Sequence, residues 1–472
     1  MGVDSIGTSP ITSGALGTGT ITVSPSVGRL PTLFSSGAGH ILYNPINLAS
    51  NTLPLIVNGA QTLTLGGVIS GIGSLNQAGP GQLRLSPTGS NNSYSGGTTV
   101  SGGELAFDSN STGTDPSVSL GPVGTGTLTL GTGAAVSALS RLRTVGNHIV
   151  FTGSPCAIND NNQPLTLSGN VDLGGNVVTL NVYTSGANVD TLGGAISNGG
   201  LTKGGGGTLV LNGASSYSGA TTVSAGTLVV NGSLGASSSV LVGPSATLGG
   251  KGTVGGPVTV SSGGSIGAGA SAGLLTLGGG LNLSAGGTNV WELAANSDAN
   301  PGTDFDQISL TGGNLVLGDS ARLLIKFIGT ATFPDASNPF WQVPHSWTIV
   351  ALNGSAANPG SSNFASIGGV SGLNPGIGSF STSVNAGSIV LNFALPPRPT
   401  ISSTIAGAGT TSATLSFSSI NGVTYKLQYK HELTDAGWTD LGTVTASGSI
   451  ASITDNTSPV PDQRYYQIVI VP

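Results

Sequence analysis

The feature that most constrains the fold is a short apolar triplet that recurs at a nearly constant interval between residues 201 and 283. One series runs through residues 209–211 and 228–230, then near Leu248, Ile266 and residues 281–283. A second series runs through residues 221–223, 240–242, 258–260 and 275–277. Both series step by 17 to 19 residues, without helical spacing. The triplets therefore predict short strands with one buried face.

A fixed repeat of this length predicts that each unit adds one layer to a stack of parallel strands, which is an all-β solenoid. Each layer must turn sharply two or three times, and 80 of the 472 residues are glycine, which adopts positive φ at little cost. Residues 1–395, at about 19 residues per layer, would form about 21 layers. At the usual strand spacing such a stack would be a rod about 100 Å long.

Charged residues are scarce, with 12 basic and 18 acidic residues and a net charge of −6 at pH 7. A nucleic-acid-binding surface needs clustered Lys and Arg, and the sequence has no such cluster. The single cysteine, Cys156, excludes a disulfide framework and a thiolate metal cluster. No run of 18 apolar residues occurs, so we expect no membrane-spanning helix.

The N-terminal stretch, residues 1–14, lacks the basic region followed by an apolar region that marks a secretory signal. The repeat pattern also begins in mid-pattern near Gly14. We therefore expect that further repeats and a signal precede Met1, or that an uncovered N-terminal end makes the protein self-associate.

A longer repeat lies over the short one, because residues 14–107 are similar to residues 121–230. The matching segments are residues 17–23 with 124–130, 66–70 with 193–197, and 94–101 with 217–224. In this alignment His40 and His148 occupy equivalent positions. Such equivalence would put the two histidines several layers apart, so they are not expected to share a metal, and packing or surface roles are favoured.

These motifs resemble the autotransporter-associated β-strand repeat. The first copy reads Gly81-Gln-Leu83-Arg-Leu85, then Tyr94-Ser-Gly-Gly-Thr-Thr-Val100, and the second reads Gly207-Thr-Leu-Val-Leu211, then Tyr217-Ser-Gly-Ala-Thr-Thr-Val223. Two full copies and a divergent third cover roughly residues 14–330. The family occurs in passenger regions of bacterial surface proteins and forms right-handed parallel β-helices. The resemblance implies that fold, and a secreted or bacterial cell-surface location.

The chain is expected to have four parts. Residues 1–287 are β-helix repeats, and the aromatic-rich residues 288–395 are the C-terminal part and cap of the β-helix. Residues 396–399 are a proline-rich linker, which favours an extended conformation. Residues 400–472 show clean alternation and predict a small antiparallel β-sandwich, which resembles a fibronectin type III module.

An enzyme has to be considered, since parallel β-helices include polysaccharide lyases and hydrolases. Such catalysis needs carboxylates or bases that converge on a groove. Between residues 191 and 290 the only charged side chains are Lys203 and Lys251. We therefore assign no catalytic residue and no cofactor.

Two acidic clusters are candidates for calcium, which prefers oxygen ligands. One cluster consists of Asp298, Asp304, Asp306 and Asp319, and its irregular spacing favours a solvated turn over a ligand loop. The other is Asp160 in an asparagine-rich stretch, where bonding to turn backbone is favoured. Whether the first cluster binds calcium stays open, and no metal site is assigned.

The remaining histidines and aromatic residues carry weaker signals. His345 and His431 have no partners by sequence. Tyr425, Tyr429 and Trp438 could stack on a sugar, although core positions are favoured in a sandwich of this size.

We therefore expect a non-enzymatic structural or adhesive module of a secreted or surface-displayed bacterial protein. Extracellular glycans or other cell-surface components would be its partners. Two alternatives stay open: a carbohydrate-active β-helix enzyme with its groove in the cap, and a glycan-binding module that uses the C-terminal sandwich.

Overall fold

The computed structural model describes residues 16–24, 31–35, 39–50, 55–59, 61–269, 271–406, 412–457 and 464–471, and these form an almost purely β structure. Its one described helix is a 3-10 turn at Pro339–Gln342. No helix in these ranges has the length and hydropathy needed to cross a membrane. The all-β prediction is confirmed, with large parallel sheets followed by small antiparallel ones.

Sheet A is the longest sheet and runs through most of the solenoid. It has 13 parallel strands: His40–Leu42, Leu63–Leu65, Gln82–Leu85, Glu104–Phe107, Ala135–Ala138, Cys156–Ile158, Val177–Val182, Gly200–Gly204, Thr221–Val223, Val240–Val242, Val258–Val260, Leu281–Asn282 and Leu315–Val316. The chain returns to sheet A once in every layer, so each strand of sheet A corresponds to one layer.

Sheet B lies on a second side of the solenoid in its N-terminal half. Its eight strands are Thr32–Ser35, Leu55–Gly59, Leu75–Gln77, Thr98–Val100, Leu128–Leu130, Ile149–Phe151, Val171–Asp172 and Ile196–Ser197. A short sheet on the third side comprises Ile21–Val23, Ile46–Leu48 and Ile69–Gly71.

Sheets C and D form the other two sides farther along the chain. Sheet C has ten strands: Arg143–Val145, Leu165–Leu167, Val189–Leu192, Thr208–Leu211, Gly226–Val230, Ala246–Gly249, Ser265–Gly267, Thr288–Leu293, Arg322–Phe327 and Ser366–Gly368. Sheet D has seven: Ser233–Leu234, Thr253–Val254, Leu274–Leu277, Gln307–Leu310, His345–Leu352, Ser379–Asn385 and Ser388–Ala394. In each complete layer of this half the chain passes from A to C to D and back to A.

The core is a set of apolar columns in the predicted register. Val242 pairs with Val223 on one side and with Val260 on the other, and all three side chains are fully buried. In sheet C, Leu228 pairs with Leu209 and Leu248. The column of inward Val and Leu residues predicted from the triplets is therefore confirmed at these positions.

The layer length differs from the prediction. Sheet A places its 13 strands between residues 40 and 316, which is about 23 residues per layer rather than 19. Its twelve spacings span about 58 Å at the usual strand separation. The expected 21 layers and rod of about 100 Å are therefore wrong, because insertions at the corners lengthen most layers.

The predicted register fails after residue 267. Val258 pairs with Leu281 rather than with Leu275, and Ser265 pairs with Thr288. The cause is a loop between residues 267 and 274, held to an earlier layer by mutual backbone hydrogen bonds between Gly250 and Gly269. This loop lengthens the layer, so the next two triplets move to sheets D and A.

Glycine precedes most strands of sheet A, and at several of these corners successive layers approach closely. A Cβ on Gly256 would lie 2.1 Å from the carbonyl oxygen of Ser238 in the layer below. Gly313 adopts φ +68°, and a Cβ there would lie 2.3 Å from the carbonyl oxygen of Gly279. The glycine content predicted such corners, and the structure adds that the spacing between layers excludes a side chain.

The two long repeats lie on different sides of the solenoid. In the first copy Thr98–Val100 is a strand of sheet B, and in the second copy Thr221–Val223 is a strand of sheet A. Both copies keep the same internal contact, a buried tyrosine hydroxyl bonded to the threonine four residues later, Tyr94 to Thr98 and Tyr217 to Thr221. Copying the sequence therefore preserved the local structure but shifted it by one side.

The aromatic-rich region continues the same sheets and then turns antiparallel. Thr288–Leu293 and Arg322–Phe327 pair in parallel in sheet C. His345–Leu352 then pairs antiparallel with Ser388–Ala394, which forms a hairpin with Ser379–Asn385. The buried rings of Trp291, Trp341, Trp347 and Phe393 fill this end of the core.

The C-terminal region consists of two three-stranded antiparallel sheets. One contains Ile401–Ala406, Ala413–Ser418 and Ile450–Asp455, and the other contains Thr424–Lys430, Thr439–Thr445 and Tyr465–Val471. A separate small core of Phe417, Val423 and Tyr425 lies between them. The likeness to fibronectin type III modules stays a prediction.

Candidate functional site

A groove crosses the outer face of sheet C. It spans seven strands from Val189–Leu192 to Arg322–Phe327, which is about 29 Å along the stack. The groove has a volume of about 480 Å³. Its lining is Gly186, Ala187, Val189, Thr208, Thr227, Val229, Thr247, Gly249, Ser265, Gly267, Ala268, Gly269, Val290, Glu292, Asp306, Leu324 and Lys326.

A ladder of hydroxyl groups runs along this groove. Thr208, Thr227, Thr247 and Ser265 pair in register on consecutive strands, so their side chains stand about 4.8 Å apart on the outer face. Thr288 continues the column in the next layer. None of the four groove hydroxyls has a hydrogen-bond partner in the part of the chain that the structure describes.

Beside the ladder two outward positions of sheet C lack side chains, and the backbone of Gly269 covers the first of them, Gly249, which is buried. Gly249 and Gly267 are the outward positions of two successive strands, where Val229 and Val290 occupy the flanking layers. The segment around Ala268 and Gly269 stands at one edge. The arrangement combines free hydroxyls with apolar contact surface.

Asp306 lies at one end of the groove, but its carboxylate is used by the backbone. One oxygen accepts from the amide of Gly273 at 2.8 Å, and the other accepts from the amide of Glu292 at 3.1 Å. Burial raises the pKa of Asp306 to about 8, with Glu292 adding to the rise, although the two amide bonds and Lys326 oppose it. Asp306 therefore ties the 267–274 loop to a strand of sheet C.

Glu292 and Lys326 are the other charged residues of the groove. They occupy paired positions on adjacent strands, and their charged atoms are 4.0 Å apart. Glu292 therefore has a partner of opposite charge, and the groove contains no pair of free carboxylates.

The predicted acidic cluster does not converge. Asp298 pairs with His345 at 3.0 Å, and Asp304 accepts from the side chain of Asn300 at 2.8 Å. Asp319 is exposed in a separate turn. Within the described ranges no group of three or more His, Cys, Asp or Glu could hold a metal ion.

Asp160 takes the turn role that the sequence favoured. Its carboxylate accepts from the backbone amide of Asn162 at 2.6 Å.

The predicted equivalence of His40 and His148 is wrong. Asn44 and Asn147 are the matching residues, because each donates through its side-chain amide to two glycine carbonyl oxygens one layer earlier. His40 begins a strand of sheet A, whereas His148 precedes a strand of sheet B and contacts Asp115 at 3.4 Å. The two copies differ in length before this asparagine, because 25 positions separate Gly19 from Asn44 and 21 separate Gly126 from Asn147.

The other two histidines differ in burial. His345 is buried, stacked on Phe340 at 3.8 Å between ring centroids, and its second ring nitrogen lies 2.5 Å from the carbonyl oxygen of Phe340. His431 is exposed beside the ring of Tyr429.

The aromatic residues of the C-terminal region do not form a common platform. Tyr425 is buried against Phe417, and its hydroxyl accepts from the amide of Ile420. The Arg464 guanidinium lies over the ring of Tyr429 at 3.9 Å, and the Lys430 ammonium lies 5.2 Å from the Trp438 ring centre. Core placement is confirmed for Tyr425.

Sequence reasoning missed the role of Lys203. Its side chain points into the core, and the ammonium donates to the carbonyl oxygens of Gly204, Gly205 and Ala225 at 2.8 to 3.0 Å. Burial lowers its pKa to about 8, against the opposing charge of Asp190. The signal was available, because Lys203 occupies an inward position in a strand that alternates.

Gln77 is the equivalent buried donor in the first long copy. Its side-chain amide donates to the carbonyl oxygens of Gly79 and Gly81, both at 3.0 Å. A buried donor that bonds the carbonyl oxygens of the following turn is thus common to both copies.

Comparison with curated proteins finds no match to this chain. A family model described as the passenger-associated-transport-repeat matches residues 75–107 and residues 201–230. These two segments contain the two buried Tyr–Thr pairs and the two inward donors, Gln77 and Lys203. The chain therefore contains two segments that match the passenger-associated-transport-repeat, which is consistent with an autotransporter passenger repeat protein and with a secreted or surface location.

Proposed function

We propose that this chain is a non-enzymatic structural or adhesive module that holds binding surfaces on a rigid β-solenoid. The observation that carries the proposal is the use of its few acidic side chains. Asp306 accepts from two backbone amides, Asp298 pairs with His345, and Asp304 bonds to Asn300.

Two acids of the N-terminal half, Asp108 and Glu104, are also bonded to neighbouring side chains. Asp108 pairs with Arg143, whose side chain is nearly buried. Glu104 accepts from Gln82, Ser137 and Asn159 on neighbouring layers. General acid–base catalysis needs a carboxyl group within reach of substrate, and these groups instead hold one layer to the next.

The enzymatic alternative is tested by product release. The full chain is incubated at high concentration with pectate, alginate and neutral polysaccharides, and new reducing ends and unsaturated products are measured. We expect none. Product release that disappears in Asp304→Asn or Asp306→Asn would overturn the proposal in favour of a lyase or hydrolase.

The adhesive role is tested by coating beads with the full chain and measuring their retention on bacterial and host-cell surfaces. Retention above that of beads coated with heat-denatured chain supports an adhesive role. Equal retention would leave the structural role as the function.

A further inference from the structure

We propose that the groove on sheet C binds one extended segment of a neutral polysaccharide. This inference rests on the adhesive function proposed above and names its ligand class. It places recognition on the regular part of the solenoid rather than in the cap or the C-terminal sandwich.

The hydroxyl ladder is the first part of the argument. A hydroxyl can both donate and accept a hydrogen bond, and the four groove hydroxyls have no partner among the described residues. A sugar chain likewise carries groups on every unit that donate and accept. Because Thr208, Thr227, Thr247 and Ser265 repeat once per layer, they offer the same contact to successive units of a polymer.

The floor supplies the second part. Gly267 leaves a hollow beside the ladder, and the half-buried side chains of Val290 and Leu324 border it with apolar surface. Sugar rings present C–H faces between their hydroxyls. A sugar chain lying in the hollow would bury these faces on Val290 and Leu324 while its hydroxyl groups contacted the ladder.

Charge selects a neutral ligand over an acidic one. The only cation in the lining is Lys326, and it pairs with Glu292. A peptide strand is also disfavoured, because the backbone groups of sheet C are bonded between layers and sheet addition needs a free edge.

The experiment is a titration calorimetry series on the full chain with neutral glucan, mannan and galactan oligosaccharides of two to eight units. We expect binding to one of these series, with affinity that rises with length until about six units fill the groove. Polygalacturonate and alginate oligosaccharides of the same lengths are expected not to bind.

The test variant is Thr227→Val with Thr247→Val, which removes two hydroxyls and keeps β-branched strand formers. We expect affinity at least about tenfold weaker, as for two lost hydrogen bonds. The matched control is Thr202→Val with Thr222→Val, a paired position on the outer face of sheet A, which should bind like the parent.

The outcomes separate this inference from the proposed function. No binding to any neutral series, equal weakening in both double variants, or binding only to acidic chains would overturn the groove as a neutral-glycan site. Adhesion that persists in Thr227→Val with Thr247→Val would overturn the groove while sparing the adhesive role. Cleavage of a bound chain would overturn the non-enzymatic proposal and leave the groove intact.

Discussion

Alternation along a single strand puts neighbouring residues in opposite environments. In Val240–Val242, Val242 is fully buried, whereas Leu241 is 45 % exposed. Val242→Asp would place an unpaired charge in the core, and we expect a loss of several kcal/mol in the free energy of unfolding. Leu241→Asp is the control and should melt near the parent temperature. Equal thermal denaturation of both variants would contradict the register.

Asp306 makes stability depend on pH. Its pKa is about 8 in the folded protein and lower in the unfolded chain, so its contribution is fully present below about pH 4 and is lost as the pH rises through 8. Asp190, whose burial raises its pKa to about 6, acts in the same direction. Lys203 adds no slope below its pKa of about 8, because it is protonated in both states there.

We therefore expect urea denaturation to give a higher free energy of unfolding at pH 5 than at pH 8. Asp306→Asn should flatten this slope, because the amide does not titrate. It should also reduce stability at pH 5, since one backbone amide then faces a donor instead of an acceptor. A parent protein that gains stability from pH 5 to pH 8 would rule out this account of Asp306.

At the scale of the strand and corner, the distance between layers decides which residues are tolerated. Gly256→Ala would bring a methyl group to 2.1 Å from a carbonyl oxygen, so the corner would have to shift. We expect a fall in melting temperature of several degrees, equivalent to about 1–3 kcal/mol. Gly206→Ala is the control, since no heavy atom lies within 4 Å of its new Cβ. Equal melting of the two variants would argue against close layer contact.

The same scale shows what the sequence could predict. Strand positions, inward residues and parallel stacking followed from the period-two alternation, as Val223, Val242 and Val260 demonstrate. Layer length did not follow, because loops such as residues 267–274 add residues without changing the strands. The groove was missed because its residues are exposed and small, and only the pairing of layers brings them into one line.

For the whole molecule, the stack predicts an elongated particle. Sheet A alone extends about 58 Å along the stack, whereas the cross-section of each layer consists of only three short strands. We expect circular dichroism with strand and almost no helix, and small-angle scattering with a distance distribution skewed to long distances. A symmetric distribution, typical of a compact sphere, would contradict the solenoid. The predicted self-association through the N-terminal end depends on residues 1–15, which lie outside the described residues.

The shift of the second long copy to a neighbouring side has a consequence for how such a chain diversifies. Inward residues of both copies meet the same kind of core, so duplication costs little in packing. Their outward residues, however, face solvent in directions about a third of a turn apart around the solenoid axis, since sheet A and sheet B are different sides of one stack. The same surface patch would thus be presented on two different sides of the solenoid. The number of strands between the two copies, not their sequence, determines which side presents the patch.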